Sequence, residues 1–207
     1  MNLKKIIKKK TFIIAEIGSN FDQSLIKAKK LIDVAKLCVA NAVKFQLFDA
    51  EKLYPKKTKN YKIFKSIELK KSWVKDLKKY CDKKKIIFFA SSFDKSSTKY
   101  LIKSKVKLIK IASSEITKIH DLCFAASFKV PLIISTGMAD LSDISEAINA
   151  CKMVGNKEIY LLHTCSLYPT KSEDVRILNL RKLSDIFNIP VGFSDHTIGN
   201  TAAISAV

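Results

Sequence analysis

Two lysines, Lys44 and Lys110, stand inside apolar stretches, each with hydrophobic residues on both sides. The two-residue alternation of a β-strand points such a side chain away from its neighbours, and a buried ammonium is costly unless it is paired. Together they indicate a small anionic ligand that carries phosphate or carboxylate. Two alternatives stay open, a lysine whose ammonium reaches the surface and a lysine that forms a Schiff base with a carbonyl substrate.

Acidic and hydroxyl side chains follow other apolar stretches. Glu16 and Glu115 each end one, and a carboxylate there can hold a sugar hydroxyl, move a proton or bind a metal. A helix N-cap or a surface salt bridge is the structural alternative for both. Four serines near such ends could donate hydroxyls to an anion, although each taken alone fits an ordinary loop: Ser91, Ser113, Ser166 and Ser194.

His163 and His196 also end apolar stretches, and imidazole is a common metal ligand. A lone histidine is more often a hydrogen-bonded core residue, so both interpretations stay open. His120 lies in a loop pattern, and we assign it no function.

The elements that must position these residues alternate regularly. Short apolar runs typical of fully buried strands are separated by helical patterns, and no glycine-rich nucleotide fingerprint follows the first run. This predicts parallel βα units and favours an α/β fold of the (β/α)₈ (TIM) barrel type over a Rossmann sheet. The strands begin near Phe12, Ala42, Ile86, Leu108, Leu132, Ile159 and Pro190.

Seven βα units leave the barrel incomplete, with strand 8 missing. No linker rich in proline, glycine or serine divides the chain, so we expect one partial domain over residues 1–207. In a parallel barrel the carboxyl ends of the strands meet at one rim, where barrel enzymes place their catalytic residues. Because all seven predicted strands end in polar residues, the sequence predicts an active site there.

The chain has 38 basic and 19 acidic residues, for a net charge of +19. Only Arg176 and Arg181 are arginines, whereas base recognition and bidentate phosphate binding favour arginine. Lysines occur along the whole chain, so we expect a solvated basic surface and no nucleic-acid binding. A non-catalytic basic barrel that binds a polyanion or a partner chain is the alternative from another functional class.

No apolar run approaches the roughly 18 residues of a membrane span, and the run after the basic start is too short for a signal peptide. The five cysteines are odd in number and show no CxxC spacing, which is typical of a reduced interior. We therefore expect a cytoplasmic protein without a membrane partner.

Six blocks of the sequence resemble the N-terminal barrel of the sialic acid synthase family, which includes N-acetylneuraminate, legionaminate and pseudaminate synthases. The resemblance runs from about residue 11 to the end, with the blocks in the family's order and spacing. They are IAEIGSN at 14–20, AVKFQ at 42–46, KIASSE at 110–115, PLIISTGM at 131–138, LHTCSLYP at 162–169 and VGFSDHT at 191–197.

This resemblance implies a condensation. Phosphoenolpyruvate would add through its C3 to the aldehyde of an open-chain N-acetylated hexosamine. Water would then attack C2, C–O cleavage would release phosphate, and a nine-carbon 2-keto acid would result. A divalent metal, Mn²⁺ or Mg²⁺, would polarise the aldehyde oxygen. This chemistry needs no Schiff base.

The resemblance also implies roles for single residues. Glu16, Lys110 and Glu115 would be the catalytic group, with Glu16 orienting or moving a proton and Lys110 holding the carboxylate of phosphoenolpyruvate. Gln46, Glu115 and Tyr168 would face the sugar, and His196 would be a metal ligand. The residues that would hold the phosphate are Lys44, Ser91, Ser113, Ser166 and Ser194.

Some of the family's pattern is missing. The family's usual Asn-His-Asn-Gly is replaced by Asn20-Phe21-Asp22-Gln23, which puts the sugar contacts of that loop in question. The family's second metal histidine, a sugar-binding aspartate and an antifreeze-like C-terminal domain of the homodimer would lie beyond residue 207. We therefore expect a fragment with little activity alone; a second chain that completes the barrel and a loss of the activity are the alternatives. A related condensing enzyme of the 3-deoxy-octulosonate or 3-deoxy-heptulosonate type is the nearest alternative.

Overall fold

The structure, a computed structural model, describes residues 3–207. The chain divides into two compact units, one ending at Ile109 and one beginning at Lys110. The expected single domain stays a prediction.

The first unit contains three parallel strands in the order β1-β2-β3. Two register pairs matter for the chemistry, since Glu16 lies opposite Lys44 and Gln46 lies opposite Ser91. The strands are β1 (Ile14–Gly18), β2 (Ala42–Leu47) and β3 (Ile87–Ser92).

Six helices accompany these strands. The second helix buries Ala28, Ile32 and Ala35 on one face. The helices are α1 (Leu3–Ile7), α2 (Leu25–Leu37), α3 (Ala50–Leu53), α4 (Lys59–Ile67), α5 (Lys71–Lys84) and α6 (Lys95–Lys103).

Two of these helices flank the loop that the sequence predicts around residues 54–60, since α3 ends at Leu53 and α4 begins at Lys59. Asp49 caps α3 and Thr58 caps α4, each by accepting a hydrogen bond from a backbone N–H of the first turn. Phe64 of α4 packs edge-on against Phe48, with ring centroids 5.5 Å apart. Short helices held by caps and one aromatic contact carry little periodicity, which is why the sequence pattern missed them.

The second unit contains the remaining strands, of which β5, β6 and β7 pair in parallel in chain order. The predicted starts of all seven strands are confirmed to within two residues. The strands are β4 (Ile109–Ile111, beginning at the unit boundary), β5 (Leu132–Ser135), β6 (Ile159–Thr164) and β7 (Val191–Ser194). The helices are α7 (Ile119–Ser127), α8 (Leu141–Met153), α9 (Asn179–Phe187) and α10 (Thr201–Ser205), with 3₁₀ turns at Ser113–Glu115 and Ser172–Asp174.

All five cysteines are unpaired. Burial raises the pKa of the Cys81 and Cys151 thiols to about 12, so both stay neutral and serve as core residues. Across residues 3–207, no helix is long and apolar enough to cross a membrane.

Candidate active site

Lys44 lies at the centre of a polar cluster in the first unit. Its side chain comes from the middle of β2 and is only 8% exposed. The ammonium forms an ion pair with Glu16 of β1 and donates a 3.2 Å hydrogen bond to the Oγ of Ser91 at the end of β3. The cluster therefore joins a buried cation, a hydroxyl and a half-exposed carboxylate, and can bind an anion beside a group that handles protons.

The end of β1 is shaped to place Glu16 there. The register with β2 shifts between Glu16 and Gly18, and Gly18 adopts a φ of +56°, which favours glycine. The neighbouring Ser19 hydroxyl is buried and has no hydrogen-bond partner among the described residues. Such a hydroxyl is free to bond a ligand oxygen, and the sequence pattern gave Ser19 no role.

Lys110 holds the corresponding position in the second unit. It is 6% exposed, and its ammonium donates a 2.6 Å hydrogen bond to the Oγ of Ser135. Ser135 ends β5 and is itself buried. Sequence reasoning missed Ser135 as a binding residue, although it ends an apolar run as the selected serines do.

Two of the predicted phosphate-binding serines lie around Gly137. Its backbone N–H donates to the Oγ of Ser113 over 3.2 Å. A Cβ atom built on Gly137 would lie 2.7 Å from the Oγ of Ser166 and 2.7 Å from the methyl group of Thr164. Only glycine allows this close approach, so the loop after β5 brings its backbone next to both serines and donates its N–H to Ser113.

Glu115 is buried in the 3₁₀ turn after β4 and is already partnered. Lys118 forms a 2.8 Å ion pair with its carboxylate, and Ser114 donates a 3.1 Å hydrogen bond to it. The salt-bridge alternative is therefore present in the structure. The predicted catalytic and sugar-facing role of Glu115 stays a prediction.

His196 follows β7 and meets Tyr168 from the loop after β6. The two rings stack with centroids 4.0 Å apart, and the Tyr168 hydroxyl lies 2.9 Å from Nε2. The Nδ1 atom lies 2.6 Å from the backbone oxygen of Cys165. A carbonyl only accepts, so Nδ1 carries the proton and Nε2 keeps its lone pair.

This tautomer suits His196 as a metal ligand, because a carbonyl bonded to Nδ1–H is the usual support for a ligating Nε2. One imidazole is not a metal site, however. Residues 3–207 contain no group of three histidine, cysteine, aspartate or glutamate side chains placed to hold a cation. His196 therefore offers one ligand to a metal ion, and no cluster of donors among residues 3–207 completes the site.

The structure shows where the remaining predicted residues lie, but their contacts do not test the predicted roles. Gln46 is half-buried opposite Ser91 in β2, and Ser194 ends β7 opposite Thr164. His163 is buried in β6, with its Nε2 2.8 Å from the backbone oxygen of Val175. This contact agrees with a structural role for His163.

Residues 31–207 match the NeuB family. An uncharacterized protein of Methanocaldococcus jannaschii is 41% identical over 197 residues, covering 95% of this chain and 58% of that protein. The N,N'-diacetyllegionaminic acid synthase of Legionella pneumophila is 39% identical over 206 residues, covering 91% and 58%. The chain thus spans about 58% of the length of these curated relatives.

A solved structure agrees with these similarities. The chain is similar to an N-acetylneuraminic acid (sialic acid) synthetase of Leptospira borgpetersenii, with a TM-score of 0.91 and 34% identity over 94% of this chain and 68% of that one. The likeness confirms the predicted fold class, an incomplete (β/α)₈ barrel with about seven βα units.

Proposed function

The chain belongs to the NeuB family, and we propose on that basis that it is the barrel part of a nonulosonic acid synthase. Its reaction would join phosphoenolpyruvate to the aldehyde of an N-acetylated hexosamine, giving a nine-carbon 2-keto acid and phosphate. Since the chain covers little more than half of its relatives, this activity belongs to the proposal.

The observation that carries the proposal is the burial of Lys44 and Lys110, each hydrogen-bonded to a serine at a strand end. Each ammonium is held rigidly among the partners that it already has, Glu16 and Ser91 for Lys44 and Ser135 for Lys110. Phosphoenolpyruvate carries two anionic groups, a phosphate and a carboxylate, and a buried, fixed ammonium is a strong hydrogen-bond donor to either of them.

We assign the phosphate to Lys44 and the carboxylate to Lys110. Ser135 would act with Lys110, because its hydroxyl fixes the ammonium at the end of β5. The serines proposed to complete the phosphate contacts are Ser91, Ser113, Ser166 and Ser194.

Glu16 would act on the reacting carbons. Its side chain is 52% exposed, while its carboxylate remains beside the Lys44 ammonium. A carboxylate in this position can orient the attacking water or move a proton at the sugar oxygen. The open-chain sugar would contact Gln46, Glu115 and Tyr168.

We further propose that His196 is one ligand of a divalent cation, Mn²⁺ or Mg²⁺. When bound, such an ion supplies Lewis-acid polarisation of a carbonyl oxygen. The loop after β6 would orient the His196 ring for this, through the Cys165 carbonyl on Nδ1. A homodimer and a cytoplasmic location complete the proposal.

Phosphate release is the assay that separates this reaction from its relatives. Because little activity is expected of the chain alone, the assay uses a high protein concentration. Phosphoenolpyruvate is offered with N-acetylmannosamine, or with arabinose 5-phosphate, each in the presence of Mn²⁺. We expect release to require the N-acetylated sugar. Release that requires arabinose 5-phosphate instead would overturn the proposal in favour of a 3-deoxy-octulosonate-type enzyme.

A further inference from the structure

The net positive charge of the protein comes from the first unit. Residues 1–109 contain 29 of the 36 lysines against nine acidic residues, whereas residues 110–207 contain nine basic and ten acidic residues. The expectation of lysines distributed over the whole chain is therefore wrong. A general lysine bias of the sequence would raise the content of both units, so it does not explain this asymmetry.

Within the first unit many of these lysines lie at the amino ends of the strands. The polar cluster of Lys44, Glu16 and Ser91 lies towards the opposite, carboxyl ends. We call the segments that lead into β1, β2, β3 and β4 the basic edge. They comprise residues 8–13, 36–41, 83–86 and 103–108. Together they hold ten lysines and no acidic residue: Lys8, Lys9, Lys10, Lys36, Lys83, Lys84, Lys85, Lys103, Lys105 and Lys107.

Backbone contacts join three of these segments into one surface. Asn41 donates to the carbonyl of Ile13 over 2.9 Å, and its own carbonyl accepts from Ile87 over 3.1 Å. The ammonium of Lys36 donates to the carbonyl of Lys85 over 3.2 Å. The lysines of these segments therefore face solvent side by side at the entrances of adjacent strands.

Most of this charge is not compensated. Lys84 pairs with Asp33, and Lys84 also lies over the ring of Tyr80. Lys83, Lys103 and Lys107 have no ion-pair partner within residues 3–207. A row of exposed ammonium groups without carboxylates attracts a polyanionic surface.

Aliphatic side chains project from the same edge. Leu37, the last residue of α2, is 82% exposed, and Val39, in the turn between α2 and β2, is 79% exposed. Transfer of such exposed aliphatic side chains from water to an apolar environment lowers the free energy. The basic edge thus combines positive charge with aliphatic residues.

Three turns of the basic edge place residues with a Cβ in the left-handed region of φ, which glycine adopts more easily than other residues. Val39, Lys85 and Lys105 have φ values of 62°, 54° and 57°, in the left-handed region that is unfavourable for residues with a Cβ and especially for β-branched valine. Equivalent turns of the second unit use Lys129, with a φ of 56°, as well as Gly155 and Asn188, so positive φ values occur in both units. Val39 is the one β-branched residue in this region of φ among residues 3–207, so its replacement by glycine relieves strain.

We propose that the basic edge of the first unit docks peripherally on an anionic lipid surface, in place of the expectation that the protein has no membrane partner. Lysines beside anionic headgroups and aliphatic residues at the headgroup boundary are the two recognised contributions to such binding. A nucleic acid fits less well, because its phosphate backbone offers nothing to Leu37 and Val39. The first unit also contains no arginine for bidentate phosphate contacts.

Vesicle co-sedimentation of the 207-residue chain tests this proposal. We expect binding to vesicles of phosphatidylglycerol and phosphatidylcholine, no binding to phosphatidylcholine alone, and release by salt. Equal binding to both vesicle types, or binding to neither, would overturn the proposal. So would binding to random-sequence duplex DNA that displaces the protein from the vesicles at equal phosphate concentration.

Paired charge reversals show whether the edge itself binds. The double variant Lys83→Glu/Lys107→Glu should bind anionic vesicles at least about twentyfold more weakly. The matched control Lys152→Glu/Lys157→Glu changes the net charge equally on the second unit and should bind like the unmodified chain. Equal loss in both variants would mean attraction by net charge alone and would refute the assignment.

Val39→Gly separates the apolar contribution from the charge. The substitution relieves the strained φ, so the melting temperature should stay unchanged or rise. Vesicle binding should nevertheless weaken roughly fivefold, because an inserted aliphatic side chain is lost. Unchanged binding by this variant would show that the lipid contact does not include the turn.

Discussion

The ammonium of Lys110 donates a 2.6 Å hydrogen bond to the hydroxyl of Ser135, and both side chains are almost completely buried. Hydrogen bonds from a charged donor are short and about twice as strong as neutral ones. The contact fixes the ammonium at the carboxyl end of β5, where a substrate carboxylate needs a rigid cationic partner. This pair is therefore the structural basis of the proposed phosphoenolpyruvate site in the second unit.

Glu16→Gln should separate binding from chemistry. Removing the negative charge beside Lys44 removes repulsion of the substrate phosphate, so we expect phosphoenolpyruvate to bind at least as tightly. Turnover should fall about a hundredfold or more where it is measurable, because the proton-handling group is lost. Calorimetric titration and a phosphate-release assay report the two quantities.

Glu146→Gln, in the exposed part of α8, is the matched control and should change neither quantity. Full turnover with Glu16→Gln would remove Glu16 from the catalytic group. Loss of phosphoenolpyruvate binding would instead make Glu16 a structural partner of Lys44.

The sequence predicted the strand positions well because each strand is a compact apolar run ended by a polar residue. It also singled out Lys44 and Lys110, since a lysine inside such a run is conspicuous. It missed Ser135, because a serine at a strand end looks ordinary until its distance to Lys110 is known. The Lys118 ion pair of Glu115 likewise depends on a 3₁₀ turn that has no apolar periodicity.

His196 should be the histidine that responds to a paramagnetic metal. The protein has only three histidines, so their ring signals can be followed separately by NMR. We expect Mn²⁺ to broaden the His196 signals selectively, because the unprotonated Nε2 can exchange its hydrogen bond from the Tyr168 hydroxyl for the metal. His163, buried on the Val175 carbonyl, and exposed His120 are internal controls.

The variant His196→Gln should remove the broadened signals and identify them. Broadening centred on His120, or an unchanged His196 resonance at saturating Mn²⁺, would contradict the assignment of His196 as a metal ligand.

Asp94 should stabilise the fold in a pH-dependent way. It caps α6, directly after the strand that carries Ser91, and accepts hydrogen bonds from Ser96, Ser97 and Lys52. Burial is the largest single influence and acts to raise its pKa, but these hydrogen bonds together hold the pKa below the ordinary 3.8. We expect Asp94→Ala to cost about 1–2 kcal/mol at neutral pH.

The sign of the pH effect follows from the lowered pKa. Stabilisation by Asp94 is complete above pH 3.8 and is lost as the pH falls through the lower folded-state value. Urea unfolding of the wild type and Asp94→Ala should therefore differ at neutral pH and converge in acid. Asp76→Ala, exposed in α5, is the control, and a difference between wild type and Asp94→Ala that persists undiminished in strong acid would refute this linkage.

The most direct test is calorimetric titration of phosphoenolpyruvate into the wild type, Lys110→Met and Lys152→Met. Methionine replaces the buried ammonium by an apolar side chain of similar length, which a folded core tolerates, and circular dichroism checks the fold. The account predicts equal affinity for the wild type and Lys152→Met, and a loss of about thirtyfold or more for Lys110→Met. Wild-type affinity in a folded Lys110→Met variant would contradict it.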